Sequence, residues 1–306
     1  MTTAMWLMLY GGALTWLSPP LLRRLTRTGI SPHMGVAAWL TAILAALLAW
    51  VGAVALIAVA AFRGLRDSSA VTLCLELFGF SEHTPLPGQV GSVALILAAL
   101  FLSAMVIRRV SQSVLRLRSR SHEHAHAARM IGRPTDRSDV VVVDAHRPAA
   151  YCVVGRPNAI VITTAALTTL NSRQLAAVLA HETAHIAGRH HQLLMVLRGL
   201  AASMPRLSLF RNGADAVADL LEMCADDTAA RRFGSRPLLG GLLTLAGPHP
   251  PLPAGLAAAG TAVVARATRL AQPPPAGVRW RQRFALAAIM AVTLAAPALI
   301  ELLCHH

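Results

Sequence analysis

The stretch His181-Glu182-Thr183-Ala184-His185 decides how the rest of the chain is interpreted. On an α-helix, residues four apart share one face, so the two imidazoles can bind a single Zn²⁺ ion. The glutamate beside the first histidine can then act as the general base on an attacking water. The sequence therefore predicts His181 and His185 as metal ligands and Glu182 as the catalytic base.

The residues that flank this motif indicate that it lies on a helix. Asn171 and Gln174 have the spacing of a capping box, and apolar residues recur after them with a helical period. A second HExxH match, His122-Glu123-His124-Ala125-His126, lies in an arginine- and histidine-rich segment without an apolar stripe. We interpret that match as part of a solvated linker and not as a metal site.

A catalytic zinc site needs a third protein ligand and an open position for water. Asp219, Glu222 and Asp226 are spaced i, i+3, i+7, so they form an acidic stripe on one face of an otherwise apolar predicted helix. Glu222 is the central acid and is the predicted third ligand, with Asp219 as the alternative. Asp226, one turn further on, is predicted to orient a zinc-bound histidine. One Zn²⁺ per chain is expected.

The motif followed by Glu222-Met223-Cys224-Ala225-Asp226 resembles the HExxH…ExxxD pattern of integral-membrane gluzincins. These include the HtpX-type and CAAX-type proteases and the BlaR/MecR antirepressor peptidases. The short gap between the motifs is most similar to the BlaR/MecR type, and the resemblance covers roughly residues 138–235. It implies a zinc peptidase that cleaves a cytoplasmic protein. Relatives that sense β-lactams carry a large extracellular domain where this chain has only a short tail, so a drug-sensing role is not expected.

The composition predicts a membrane protein. Hydrophobic residues make up 55% of the chain, charged residues only 14%, and the mean hydropathy is +0.54. Soluble domains carry about 25% charged residues.

The expected fold is a mainly α membrane protein with about four transmembrane helices and a cytoplasmic α+β zincin-like metalloprotease domain that contains a small sheet. The predicted divisions are a membrane domain at 1–110 with three spans (about 1–22, 34–62 and 88–107), a juxtamembrane linker at 111–137 that begins as a helical extension of the third span, the zinc metalloprotease domain at 138–236, a Pro/Gly/Ala-rich linker at 237–283, and a fourth span at 284–303.

Arginines predict the orientation in the membrane. They cluster after the first and third spans, whereas the loop between the second and third spans is balanced by acids, and positive charge marks the cytoplasmic side. The metalloprotease domain is therefore expected on the cytoplasmic side of a bacterial inner membrane, with both termini outside.

The net charge of the chain is +14, and all 28 basic residues are arginine. Membrane lipid is the expected partner of these charges, and no direct nucleic-acid binding is expected, since no basic motif interleaved with aromatic residues is present. A homo-oligomer is left open.

Short apolar runs at Val140–Val143, Tyr151–Val154 and Ala159–Ile162 predict a small sheet. We take the last run as the edge strand that binds substrate backbone.

No catalytic or ligand-binding residue is expected in 237–283. No CxxC pair supports a thiolate zinc site; free thiols are expected, with a Cys74–Cys304 disulfide as the alternative. The donor to a reaction oxyanion is left open among Tyr151, His190, His191, Arg231 and Arg232.

Three functions are consistent with these features. The first is a regulatory membrane zinc metalloendopeptidase, whose substrate the BlaR/MecR resemblance implies to be a BlaI/MecI-like winged-helix repressor. The second is an HtpX-like protease for quality control of membrane proteins. The third is a non-catalytic, zinc-stabilised membrane signalling adaptor. The intact Glu182 favours the first two, because a purely structural site needs no base.

Overall fold

The computed structural model describes residues 3–66, 88–247 and 254–304, which form a mostly helical protein with one small sheet. The helices are α1 (Thr3–Thr26), α2 (Pro32–Arg66), α3 (Gly88–Ile131), α4 (Thr164–Thr169), α5 (Ser172–Ala187), α6 (His190–Ser203), α7 (Ser208–Phe233), α8 (Ser235–Ala246), α9 (Ala254–Ala271) and α10 (Ala276–Cys304). The strands are β1 (Arg133–Pro134), β2 (Val140–Val143), β3 (Ala150–Val153) and β4 (Ala159–Thr163).

The sheet has the order β1-β2-β4-β3. Strand β2 pairs in parallel with β4, and β3 pairs antiparallel with β4. All five residues of β4 are buried, as expected for an uninterrupted apolar strand that is covered on both faces. Our expectation that Ala159–Ile162 forms the edge was wrong, because this strand lies in the centre. The edge on that side is β3, on which Tyr151 is exposed.

The motif helix follows the sheet through two capped turns. The Thr163 hydroxyl accepts a hydrogen bond from the Ala166 amide at the start of α4. The Asn171 side chain then accepts from the Gln174 amide, and the Gln174 side chain accepts from the Asn171 amide, so α5 begins with the predicted capping box. Val178 of α5 belongs to the apolar cluster beneath the sheet. The sheet and α5 therefore share one core, which fixes the motif relative to β3.

The second motif helix, α7, packs into a bundle with the apolar helices. Leu209, Phe210 and Val217 of α7 are buried against Trp39 and Ile43 of α2. Gly213 allows this close approach, because a Cβ there would lie 2.9 Å from the Ile43 side chain. Helix α6 packs against both α3 and α7.

Three helices are long and apolar enough to cross a membrane: Pro32–Ala60, Leu97–Ile131 and Ala276–Leu299. Helix α1, predicted as the first of four spans, is not among them, because glycines, threonines and Pro19-Pro20 lower its hydropathy. Four membrane spans were predicted, and three of the described helices are long and apolar enough to cross a membrane. Cys74 lies outside the described residues, so the alternative of a disulfide to Cys304 stays a prediction.

The segment 111–137, expected as a helical extension of the third span that passes into a linker, is mostly helix. Helix α3 continues without a break to Ile131, and Ala125 is buried against the sheet. The second HExxH match lies on this helix, and His124 and His126 are exposed. Among the described residues, His122, His124 and His126 are not part of any group placed to hold a metal.

Candidate metal centre

Helices α5 and α7 bring the three predicted ligands together. The Nε2 atoms of His181 and His185 lie 3.1 Å apart, since the residues are one helical turn apart on α5. Each Nε2 lies 3.4 Å from a different carboxylate oxygen of Glu222 on α7. These residues form the only group of three or more potential ligands found in the described parts of the chain.

The spacing of these atoms fits a tetrahedral zinc site. Zinc ligands bond at about 2.0–2.2 Å, so two ligand atoms of one tetrahedron lie about 3.3 Å apart. The observed distances are 3.1, 3.4 and 3.4 Å. Two imidazoles and one carboxylate are also the donor set of catalytic zinc sites, in which the fourth position is left open. The residues present therefore fit a zinc ion.

The three acids of the predicted stripe, Asp219, Glu222 and Asp226, lie in different positions relative to the two histidines. Glu222 faces both histidines, whereas Asp219 is exposed and belongs to no ligand group among the described residues. Asp226 is fully buried, and its Oδ1 lies 3.1 Å from Nδ1 of His181. A carboxylate at the second nitrogen of a metal-binding histidine fixes the tautomer and the ring orientation. Asp226 has the position that this role requires.

Burial and neighbouring charges shift the pKa values of the cluster in opposite directions. Burial disfavours the charged form of His181, yet contacts with Asp226 and Glu222 raise its pKa to about 9. Burial lowers the pKa of His185 to about 4. Burial also opposes the ionised form of Glu222, but His181 and Arg266 lower its pKa to about 2. Charged partners therefore outweigh burial at His181 and Glu222, whereas burial prevails at His185.

Glu182 lies beside the ligands at the wall of a cavity of about 260 Å³. Ala150 of β3, His181, Glu222 and Arg266 also line this cavity, so it connects the ligand group to the edge strand. Burial raises the pKa of Glu182. A carboxylate with a raised pKa next to an open ligand position is suited to accept a proton from water.

Arg266 is a residue of this site that the sequence analysis missed. Its guanidinium donates to both carboxylate oxygens of Asp226 at 2.7 Å and lies 2.9 Å from a carboxylate oxygen of Glu222. It comes from α9, inside the 237–283 segment in which we expected no chemistry. That expectation was wrong, because α8 and α9 pack over the two motif helices. Arg266 binds Asp226, and Arg269 binds Asp227. Two arginines three apart in an otherwise apolar helix were the sequence feature that could have indicated acidic partners on α7.

The other histidines lie behind the ligands. His190 Nδ1 lies 2.9 Å from His185 Nδ1, on the side of the ring that points away from Glu222. The His190 ring rests on Gly188, where a Cβ would lie 2.4 Å from its Nε2. Arg189, between them, has a left-handed backbone (φ 51), which L-residues rarely adopt. This turn returns the chain so that His190 supports the ring of His185.

None of the five residues considered as oxyanion donors lines the cavity beside Glu182. His190 contacts His185, and His191 Nδ1 lies 3.7 Å from the sulfur of Cys152. The Arg232 guanidinium lies over the Phe233 ring. Arg231 lines a different cavity, and Tyr151 is exposed on the edge strand. Arg266 is the cationic side chain in the cavity wall.

Comparison with known protein families relates part of the chain to a peptidase family. Residues 112–240 match the model of peptidase family M48, which is less than half of the chain. This range contains α5, α7 and the whole sheet, and it indicates a metallopeptidase. Neither the curated proteins nor the solved structures include a significant match.

Proposed function

We propose that this chain is an integral-membrane zinc metalloendopeptidase that hydrolyses peptide bonds of a cytoplasmic protein. The observation that carries the proposal is the approach of His181 Nε2, His185 Nε2 and the Glu222 carboxylate to within 3.1–3.4 Å of one another. Glu182 on the same cavity wall and the match to peptidase family M48 support it. A bound Zn²⁺ would acidify its water and polarise the scissile carbonyl.

The residues of the chain supply the proton transfers. His181, His185 and Glu222 would hold the metal. Glu182 accepts a proton from the attacking water and passes it to the leaving amine. The raised pKa of Glu182 suits the first transfer, because it makes the carboxylate a stronger base, and the more basic leaving amine can then take the proton in the second transfer. Arg266 faces the same cavity and is the donor that we assign to the developing oxyanion.

Strand β3 offers a route for substrate binding. It lies at the edge of the sheet, pairs only with β4 among the described strands, and places Ala150 in the cavity wall. An extended peptide that adds to an exposed sheet edge gains main-chain hydrogen bonds. We therefore assign substrate binding to β3 in place of the 159–162 strand, so that the peptide runs past Glu182.

Membrane location is part of the proposal. The three apolar helices support a membrane protein, and the arginines that precede α2 and open α10 favour a cytoplasmic location for the first residues of both helices. The substrate that we propose is a transcriptional repressor, in keeping with the spacing of the two motifs. Quality control of membrane proteins and a non-catalytic adaptor are the outcomes against which this is tested.

The test compares membranes that contain wild-type protein or Glu182→Gln. New N-termini of cytoplasmic proteins in the wild type alone would establish proteolysis and identify the substrate. A repressor among the cleaved proteins supports a regulatory role, whereas damaged membrane proteins indicate quality control. Equal zinc content in both samples with no difference in N-termini would leave only the adaptor, because Glu182→Gln removes the base and keeps the three proposed ligands.

A further inference from the structure

A second, larger cavity of about 760 Å³ lies outside the metal centre. Pro32 and Met34 of α2 and Ala276 and Trp280 of α10 form part of its wall. Pro32 and Ala276 are the first residues of two of the three helices that are long and apolar enough to cross a membrane. The cavity therefore lies at the level where both helices would enter the lipid. Trp280 is 66% exposed there, as is common for tryptophan at a membrane–water interface.

The cavity wall is strongly basic. Four arginines line it against one acid, Asp227, and that acid is already bound. Arg269 donates to both Asp227 oxygens at 2.7 Å and to the carbonyl of Gly29 at 2.7 Å. The other three arginines, Arg231, Arg279 and Arg283, form no ion pair within the described parts of the chain. They line the cavity with uncompensated positive charge.

A buried hydroxyl in the wall also lacks a partner. Ser31 is 7% exposed, and its Oγ makes no hydrogen bond to any described residue. Ser31 precedes the first residue of α2, and its carbonyl accepts a hydrogen bond from the Gly35 amide. The first amides of a helix carry partial positive charge and bind anionic oxygens. A polar group that is buried without a partner is costly, which points to a ligand that supplies one.

We propose that this cavity binds the phosphate headgroup of an anionic lipid from the cytoplasmic leaflet. The three unpaired arginines neutralise the phosphate, Ser31 donates to one of its oxygens, and the acyl chains follow the apolar surfaces of α2 and α10 into the bilayer. The site rests on the proposed membrane location and is independent of the peptidase chemistry. Its wall includes Arg269 of α9, the helix that supplies Arg266 to the metal centre, so the lipid contacts a helix shared by both sites.

The experiment uses the full chain in a zwitterionic detergent, with phosphatidylglycerol or phosphatidylcholine added. Native mass spectrometry then counts the lipid retained per chain. The wild type is expected to retain one phosphatidylglycerol and to prefer it over phosphatidylcholine. Arg279→Gln with Arg283→Gln is expected to weaken phosphatidylglycerol retention about 30-fold, the effect of two arginines at a membrane surface. The matched control, Arg24→Gln with Arg281→Gln, removes two exposed charges of the same kind that lie outside the cavity and should retain the lipid.

Further measurements separate the site from general attraction and from free phosphate. Ser31→Ala should weaken retention while the lipid-free protein stays as stable as the wild type, because the hydroxyl has no partner within the described protein to lose. Equal losses in both double variants, or no preference between the two lipids, would overturn the proposal. Full displacement of the lipid by millimolar inorganic phosphate or glycerol phosphate would make this a site for free phosphate. Zinc content, measured in the same samples, reports on the peptidase proposal separately.

Discussion

Arg266 donates to both oxygens of Asp226 at 2.7 Å, across forty residues of sequence. Asp226 is fully buried, and the Arg266 side chain is only 12% exposed. Burial opposes the ionised form of Asp226, but the guanidinium and His181 lower its pKa to about 2. This pair joins α9 to α7 and, through Asp226, sets the position of a proposed zinc ligand. It therefore links the stability of the helical cover to the geometry of the metal centre.

Removing one member of this pair is expected to destabilise the protein strongly. Arg266→Ala leaves a buried carboxylate without its partner, which costs about 3–5 kcal/mol. Arg266→Met combined with Asp226→Leu removes both charges and should cost less than Arg266→Ala alone. Thermal unfolding in detergent measures both. A double variant that unfolds at a lower temperature than Arg266→Ala would show that the pair is not coupled in this way.

His190 is expected to hold the ring of His185 through the contact between their Nδ1 atoms. Gly188→Ala places a Cβ 2.4 Å from the His190 ring nitrogen, so it should displace that ring. The expected result is a loss of zinc affinity of about 10–100-fold, equal to that of His190→Ala. Gly277→Ala is the matched control, because a Cβ there meets no atom within 4 Å. Competition with a chelating dye measures the affinity, and unchanged binding in Gly188→Ala contradicts this role.

Asp219 and Glu222 are expected to behave in opposite ways when their charge is removed. Glu222→Gln should abolish stoichiometric zinc binding, whereas Asp219→Asn should retain it. Although Asp219 is exposed, desolvation by the surrounding protein and the charges of Asp215 and Glu222 raise its pKa, so its ionised form is disfavoured in the fold. That cost is fully present above the raised pKa and disappears below the ordinary value of about 3.9.

Asp219→Asn should therefore raise the unfolding temperature at pH 7, and the gain should shrink as the pH falls towards 4. Thermal unfolding at both pH values measures this difference. A variant that loses zinc, or one whose gain grows at low pH, would mean that Asp219 has a different role.

The thiol of Cys152 is expected to be inert in the folded protein. Burial and the nearby Glu182 raise its pKa, so the reactive thiolate is scarce at neutral pH. Cys224 is also buried, and burial raises its pKa to about 12. Alkylation by iodoacetamide at pH 7.5, followed by mass spectrometry, should modify neither residue until the protein is unfolded. Rapid modification of Cys152 in the native state would place this thiol at an accessible surface.

Local patterns in the sequence predict the parts of the site that lie on single helices. The capping box at Asn171 and the spacing of His181 and His185 define α5. Helical periodicity also placed Asp219, Glu222 and Asp226 on one face of α7, and Glu222 was assigned as the ligand because it is the central acid. Asp226 was assigned to orient a histidine because it lies one turn further on.

Features that depend on contacts between distant segments were not predictable in this way. The order of the strands, with β4 in the centre, depends on a parallel pairing to β2 that no local pattern specifies. Arg266 reaches the site only because α9 packs over α7, and its proline- and glycine-rich surroundings are typical of a linker. The contact of Ala125 with the sheet was also not predictable, because the polar residues around it conceal the small buried face of α3.

X-ray absorption at the zinc edge of the purified chain tests the central claim most directly. We predict one zinc per chain, with two imidazole nitrogens and carboxylate or water oxygens at about 2.0–2.2 Å and no sulfur at about 2.3 Å. Glu182→Gln should keep this first shell, and Glu222→Gln should lose it. A wild-type protein without stoichiometric zinc, or a spectrum that does not change in Glu222→Gln, would contradict the account.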